Sequence, residues 1–461
     1  MYFLKKYFFG VYLSCFSLMT SAQQYCQISL KTLLNKVDQK APTLLTDSAI
    51  ILIRKAQAVE IKNNWLPDLT LNYQTNIGTS NNTTGPYFGF GLIPSSSGGI
   101  HSTNLTTGTS DNLGIAALNW EIYNFGKYGS QNRVANSDIM VQKNQYTKSK
   151  YDLRAFTINN YLELIQFKNL LNIQFQNITR TSQILRSIIS LARSGVRAGV
   201  DTSLAQAELS KARLNYIEVN NQVKRVQLNL SLVSGLPFET ILPDSTVEII
   251  LINQPDLYLF PSDTINHPLI NFYRSVYQNN LKKEDLVKRF YNPKISLEAA
   301  TWGRGSSVDP TGQYNSLSTG FGFQRGNYLV GIAISYNLID FRRRQLKLRT
   351  QLATTDYSKK KLQEQQLLLS VNANQAGVEM QTAITRLKEI PNQLKAANDS
   401  YRQNLSLYKN GLSNIITLDA ALNILYRAET DYTLAKYDYT KALFQKAIFE
   451  NHVNTVLNLL K

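Results

Sequence analysis

The chain has very little cysteine, histidine and proline, and its apolar runs are short. Cys15 and Cys26 are its only cysteines in 461 residues. Cys15 lies in a stretch that reads as a removable leader, so Cys26 is left alone and no intramolecular disulfide forms. Neither has a lipobox before it: Tyr12 stands where a Leu is expected relative to Cys15, and Gln24-Tyr25 precede Cys26. Three histidines, His101, His267 and His452, are too far apart to gather a metal ion. No metal site and no cofactor is expected. "GFG" at 89–91 lacks the strand-glycine-helix setting of a nucleotide site, and "GLSNI" lacks the second glycine of a nucleophile elbow, so no catalytic residue is assigned.

Beyond the leader no run approaches the ~18 apolar residues of a membrane helix, so any crossing of a bilayer must be made by strands. Proline is absent between Pro94 and Pro237, and after Pro310 only Pro391 occurs, which leaves room for very long helices. Acidic residues are outnumbered, giving a formal charge of +17. The Lys and Arg are scattered along helical stretches, and an exported chain meets no nucleic acid, so they read as solvated faces. Only Phe341-Arg342-Arg343-Arg344 is concentrated.

The first 22 residues carry a charged start in Lys5 and Lys6, an apolar stretch from Tyr7 to Met19, and small residues at Thr20-Ser21-Ala22. They read as a secretory signal. The remainder of the chain is one unit written twice. Pro42 and Pro67 match Pro268 and Pro293 at a shift of 226; "WEIYNFGK" from Trp120 matches "YNLIDFRR" from Tyr336 at 216; Gly199 falls on Gly411 at 212. The expected division is a signal at 1–22, repeat 1 at 23–240, a linker at 241–267, repeat 2 at 268–450 and a tail at 451–461.

Each copy opens with a helix of about 20 residues (43–63; 269–290) and then an alternating strand. Leu69, Leu71 and Tyr73 share one face of the first strand, as do Ile295 and Leu297 of the other. Ser/Thr/Asn/Gly-rich loops, roughly 78–111 and 303–327, suit exposed, mobile excursions. Return strands of about ten residues, "NLGIAALNWEIY" and "NYLVGIAISYNL", are long enough to cross a bilayer at a tilt. Long helices come next at 127–193 and 343–408, each reaching roughly 100 Å, with a kink expected at Pro391.

Returning helices carry heptads: Ala205, Leu209, Ala212, Tyr216, Val219, Val223, Val226, Leu230 and Val233 in the first copy, and Leu418, Ala421, Leu425, Ala428, Tyr432, Ala435, Tyr439 and Ala442 in the second. A 3.5 period means coiled-coil packing. At the 212 shift large residues of one copy stand where the other has alanine. Between the long and returning helices, "YKNGLSNIITLD" reads as a helix stop joined to a helix start, a hairpin tip.

Four strands cannot close a barrel, and open edges are not tolerated in lipid, so chains must pool their strands. Two chains give eight strands with a filled interior, three give twelve with room for water. Polar loops belong outside the cell, which sends the helices into the periplasm. Trp65, Trp120, Tyr123 and Phe125, with Phe290, Tyr291, Tyr336 and Phe341, cluster at the helix side of the strands and read as an interfacial girdle. Arg342, Arg343 and Arg344 stand next to it, placed to snorkel towards lipid phosphates.

The paired segments "ARSGVRAGVDTSLAQAELSKARLNY" with "LVSGLP", and "SLYKNGLSNIITLDAALNILYRAETDYTLAKYDY", resemble the two halves of TolC-like outer-membrane factors, over nearly the whole mature chain. The resemblance implies a mixed, mostly α fold of two repeats, each with two transmembrane strands and long coiled-coil helices. Three chains would form a 12-stranded barrel continued by a periplasmic helical tunnel. It further implies an exit duct for efflux or type I secretion, working with a periplasmic adaptor and an inner-membrane transporter in outer-membrane lipid. The tips would ring its closed entrance and dock the adaptor.

The tip residues are then Gly199, Asp201, Leu204, Ala205, Tyr408, Gly411, Ser413, Thr417 and Asp419. Tyr408 matches the family pattern, whereas Thr417 and Ala420 stand where relatives can carry acids and Ser413 where a base can occur. Asp419 is expected to face a neighbouring helix, with Tyr408 closing the entrance and Asp201 near it. The alternative is a periplasmic adaptor or structural coiled coil, which has no need of the strands.

Overall fold

The computed structural model describes residues 27–81, 103–196, 198–253 and 263–460. The leader, Cys26, His101 and most of the first loop, including "GFG", lie outside them. The elements run α1 (Leu30–Lys40), α2 (Pro42–Asn63), β1 (Asp68–Gly78), β2 (Thr109–Tyr123), α3 (Lys127–Arg193), α4 (Gly199–Ser234), α5 (Thr246–Ile252), α6 (Pro268–Phe290), β3 (Lys294–Ser306), β4 (Arg325–Ser335), α7 (Asp340–Lys409), α8 (Ile415–Phe449) and α9 (Val453–Leu457).

The long helices match their expected bounds within a few residues, and α2 and α6 open on prolines at a first-turn position that needs no donor. His267 caps α6: its Nδ1 accepts from the Leu269 amide, which leaves Nε2 to donate to the Ile448 carbonyl at 3.1 Å. Burial pushes this imidazole below its ordinary range, consistent with the neutral ring. Pro391 does not end α7, which is helical throughout. Its ring lies on an exposed face, where water can serve the carbonyl freed by the missing donor.

Three short helices add to the periodic segments. Leu30, Leu33, Leu34 and Val37 of α1 are buried against α3 and α4. With α5, α9 and the C-terminal part of α8, Leu30, Leu33 and Leu34 form a core around Tyr161, whose hydroxyl donates to the Ile28 carbonyl and accepts from the Asp244 amide. The stretch expected only to link the copies therefore includes a packed helix, α5, with Val247 and Leu251 in that core.

The strands form one antiparallel sheet in the order β1-β2-β3-β4, so β2 and β3 join the two copies while β1 and β4 are edges. Register sorts the side chains. Leu69, Leu71, Tyr73 and Ile77 share a face with Leu118, Leu297, Tyr328, Val330, Ile332 and Ile334. The opposite face carries Asn72, Gln74, Asn76, Asp111, Glu298, Arg304, Arg325 and Asn327. Much of the apolar face is bare: Leu71 is 80% exposed, Tyr328 84% and Ile334 75%.

The two hairpin tips correct the repeat register. At the end of α7 the Leu412 amide reaches the Leu407 carbonyl and the Gly411 amide reaches Tyr408; at the end of α3 the Val196 amide reaches Leu191 and the Gly195 amide reaches Ala192. Both are Schellman closures on a left-handed glycine, with φ of 79° at Gly411 and 75° at Gly195. The counterpart of Gly411 is thus Gly195, 216 positions away, and not Gly199, which begins α4 in ordinary helical backbone. The N-caps Ala198 and Asn414 keep the same 216.

The register matched at 212 slips by four residues, close to one helical turn, so it preserves a heptad look while mispairing the positions. At 216, Ala205 pairs with Ala421, Leu209 with Leu425, Ala212 with Ala428 and Val226 with Ala442, all buried. The expected opposition of large residues to alanine is lost at 205, 209 and 212 and stays at Val226 with Ala442.

Gly195→Ala and Gly411→Ala should each destabilise their tip by about 1 kcal/mol, the cost of a Cβ in left-handed backbone. Gly199→Ala should be neutral or stabilising, since nothing lies within 4 Å of its added Cβ. Amide exchange across the tips, slower or unchanged in Gly199→Ala and faster in the other two, checks the assignment.

Candidate functional site

Each tip is set by the sequence that closes it. In the second, Asn414 accepts from both the amide and hydroxyl of Thr417 at 2.9 Å, so Thr417 is engaged in capping α8 although its side chain is exposed. In the first, no side chain caps α4, and Asp201 in its first turn places negative charge at the positive helix end. Under the corrected register Asp201 is the counterpart of Thr417, a place that the 212 shift had given to Ala205.

The structure brings Tyr408 and Asp201 together. Tyr408 is 2% exposed, packed among Ile188, Ala205, Tyr401, Ile415 and Leu418, and its hydroxyl donates to Asp201 Oδ2 at 3.3 Å. This contact ties the end of α7 to the start of α4. Ala205 is buried beneath it; Leu204 and Gly411 are exposed and Ser413 half-buried, so these three stand outside the packed cluster.

Asp419 is half-buried and accepts from Asn423 at 3.0 Å. Burial, then the charge of Glu208 on α4, pushes its carboxyl above the ordinary range, against the opposing pull of Lys211 and Asn423. It therefore faces a neighbouring helix that carries both signs of charge.

One contact near the tips has no signal in the sequence. Arg180 of α3 and Glu429 of α8 form a two-pronged ion pair, at 2.9 and 2.5 Å, with both side chains about four-fifths covered. Their separation of 249 positions gives periodicity nothing to detect.

The aromatic residues at the helix side of the sheet do meet. The Trp65 and Trp120 rings lie 5.9 Å apart, with Trp120 Nε1 donating to the Trp65 carbonyl, and Tyr123 meets Phe125 edge-on at 4.8 Å. Phe290 contacts Tyr291, and Lys127 sits over the Phe290 ring. Tyr336 and Phe341 are exposed. Of the neighbouring arginines, Arg343 pairs with Asp340 at 3.1 Å and Arg342 donates to Gln345.

A family profile described as outer membrane efflux protein matches residues 33–236 and 285–445, well over half of the chain. The chain belongs to that family. No curated protein matches it in sequence. Among solved structures it is similar to the outer-membrane channel OprN (16% identity, TM-score 0.71, covering 92% of this chain and 90% of that one). It is also similar to the CmeC outer membrane channel of Campylobacter jejuni (14%, 0.72, 92% and 86%) and to the open state of the MtrE outer membrane channel of Neisseria gonorrhoeae (15%, 0.66, 92% and 89%).

The fold is thus the mostly helical, two-repeat architecture of TolC-like channels. The protein is an outer-membrane member of a family of channels, with its helices in the periplasm.

Asp419 generates a pH prediction. Its folded pKa is raised, so the folded tip holds this proton more tightly than the unfolded chain, and the tip gains stability as pH falls through the upper carboxylate range. Asp419→Asn should leave tip stability at pH 7 unchanged or higher and flatten that gain. Amide exchange at pH 7 and pH 5 in both proteins measures it.

Proposed function

We propose that the protein is the outer-membrane exit duct of a tripartite efflux pump or type I secretion system. It would be a passive conduit for cargo driven by an inner-membrane transporter and would be gated at its periplasmic tips. The observation that carries this reading is the sheet: two unpaired edges, β1 and β4, on a surface whose one face is largely apolar and exposed while the other carries the charged side chains Asp111, Glu298, Arg304 and Arg325. In hydrocarbon both edges must be paired, and three chains supply the twelve strands of a water-holding barrel with the polar face inward. An adaptor or a plain coiled coil, the competing reading, has no use for such a sheet.

Below the sheet, α2 and α4 both pack along α3, and α6 and α8 both pack along α7. Each long helix therefore has a short and a returning partner along its length, the arrangement of a tunnel wall. Leu214, Ile217, Leu228 and Leu232 of α4 and Leu367, Val371 and Val378 of α7 remain exposed, which suits contacts with neighbouring copies. The tips would meet a periplasmic adaptor. That the MtrE channel has an open state supports a gate in this fold.

Closure here would rest on the buried Tyr408 and its bond to Asp201 rather than on a ring of acids, since Thr417 and Ala420 are uncharged. Chemical cross-linking should give a trimer that unfolds to monomer on heating in detergent; a monomeric barrel would exclude this assembly.

In planar bilayers the trimer should conduct weakly, and Tyr408→Ala should raise conductance several-fold. The substitution removes a buried ring worth ~3–5 kcal/mol in packing. Divalent cations should block little. Strong block abolished by Asp419→Ala would move the gate to that residue, and unchanged conductance in Tyr408→Ala would remove Tyr408 from it.

A further inference from the structure

The loop between β3 and β4 does not stand away from the sheet. It doubles back over it. Ser110 donates through its hydroxyl to the Leu317 carbonyl, Asn112 donates to the Phe321 carbonyl at 2.6 Å, and Gln324 bonds the Ser306 and Thr319 carbonyls. The Phe323 ring lies on Gly114 and Gly303, where an added Cβ at either glycine would come within 2.8 Å of it, and it meets Tyr73 edge-on at 6.2 Å. Gly305 approaches the Gly322 backbone too closely for any side chain.

The face on which this strap lies is fixed by register. Ser110, Asn112 and Gly114 alternate with Asp111, Leu113 and Ile115 of β2, and they share their face with Tyr73, Leu71, Tyr328 and Val330. The strap therefore lies on the apolar face, not over the polar one. Residues 316–323, Ser-Leu-Ser-Thr-Gly-Phe-Gly-Phe, hold no charge. Leu317, Phe321 and Phe323 remain 41%, 44% and 62% exposed.

Height supplies an independent observation. Gly303, beneath the Phe323 ring, is eight residues along β3 from Ile295, which pairs with Tyr123 of the helix-side aromatic cluster. Eight residues rise about 27 Å along a strand, or about 21 Å along a barrel axis at a ~40° tilt. Outer-membrane barrels carry apolar bands of about 25 Å, flanked by aromatic girdles at both interfaces.

We infer that residues 316–323 are a lipid-side strap: its aromatic residues complete the outer girdle with Tyr73 and Tyr328 and contact the acyl chains of the outer leaflet rather than covering the channel mouth. The inference rests on the proposed barrel, with the apolar face outward. Gly114 and Gly303 form the cradle, since only residues without a Cβ let the ring lie against the strands. The polar turn at Asp309, which accepts from Thr311 and Gln313, lies beyond the strap and belongs in water.

The test uses the full-length trimer in phospholipid vesicles, with Cys26→Ser and single spin labels at Val330, Phe321 and Gln313. Oxygen reports lipid exposure and a nickel chelate reports water. Labels at Val330 and Phe321 should both be oxygen-accessible and nickel-protected, with Gln313 the reverse. Gly303→Leu should push the ring off its cradle and raise nickel access at Phe321 several-fold while leaving Val330 unchanged. A nickel-accessible Phe321 beside a nickel-protected Val330 overturns the strap alone, as does a Phe321 label indifferent to Gly303→Leu. A nickel-accessible Val330 overturns the outward face, and with it the barrel reading.

Discussion

Backbone hydrogen bonding at the two sheet edges is the constraint on which the rest depends. Within β1 and β4 every residue already pairs on one side, Asp68 through Gly78 with β2 and Arg325 through Ser335 with β3, which leaves the other side of each strand unsatisfied. In water such edges are tolerable, but the bare Leu71, Tyr328 and Ile334 beside them suit hydrocarbon, and there each unpaired group would cost several kcal/mol. On the proposed barrel reading, a single chain would not be the working unit. The same requirement explains the duplication: each copy delivers two strands, and the β2–β3 seam joins them into a four-stranded stave with both copies' helices below.

Much of this was legible because it is periodic. Alternation located the four strands, and the scarcity of proline with a sustained apolar stripe located α3 and α7 within a few residues. The short helices α1, α5 and α9 escaped because five to eleven residues present too few turns for a stripe to stand out, although Leu30, Leu33, Leu34 and Val37 have the helical spacing. The register at the tips misleads for a definite reason. A slip of four residues nearly reproduces a helical turn, so Gly199 falls on Gly411, while "RSGV" at 193–196 aligned with "KNGL" at 409–412 is the true match.

The site was legible to a lesser degree. Tyr408 and Asp201 are close to their respective turns, and sequence distance from a turn is readable. Arg180 and Glu429 are not, since their meeting depends on how α3 packs against α8. The strap was hidden by composition, because Ser, Gly and Thr read as an excursion into solvent. In the folded chain those small residues let the backbone lie close against the strands, with Gly303, Gly305 and Gly320 each at a point where a side chain would collide.

With the register corrected, the two tips differ where it matters for closing a channel. The buried seams agree, alanine with alanine at 205 and 421 and at 212 and 428, and leucine with leucine at 209 and 425. Among the departures are Tyr408, whose counterpart is Ala192, and Asp201, whose counterpart is Thr417. The hydrogen bond from Tyr408 to Asp201 therefore has no equivalent on the other hairpin, where alanine stands for the tyrosine and Thr417 is instead engaged by Asn414. Three chains would thus ring the entrance with six similar hairpins but only three locks. In the proposed trimer the contacts at the entrance would then follow a threefold pattern rather than a sixfold one. Tyr408 and Asp201 would supply that difference with one bulky ring and one charge, while Ala205, Leu209 and Ala212 keep the same residues as their counterparts in the other copy.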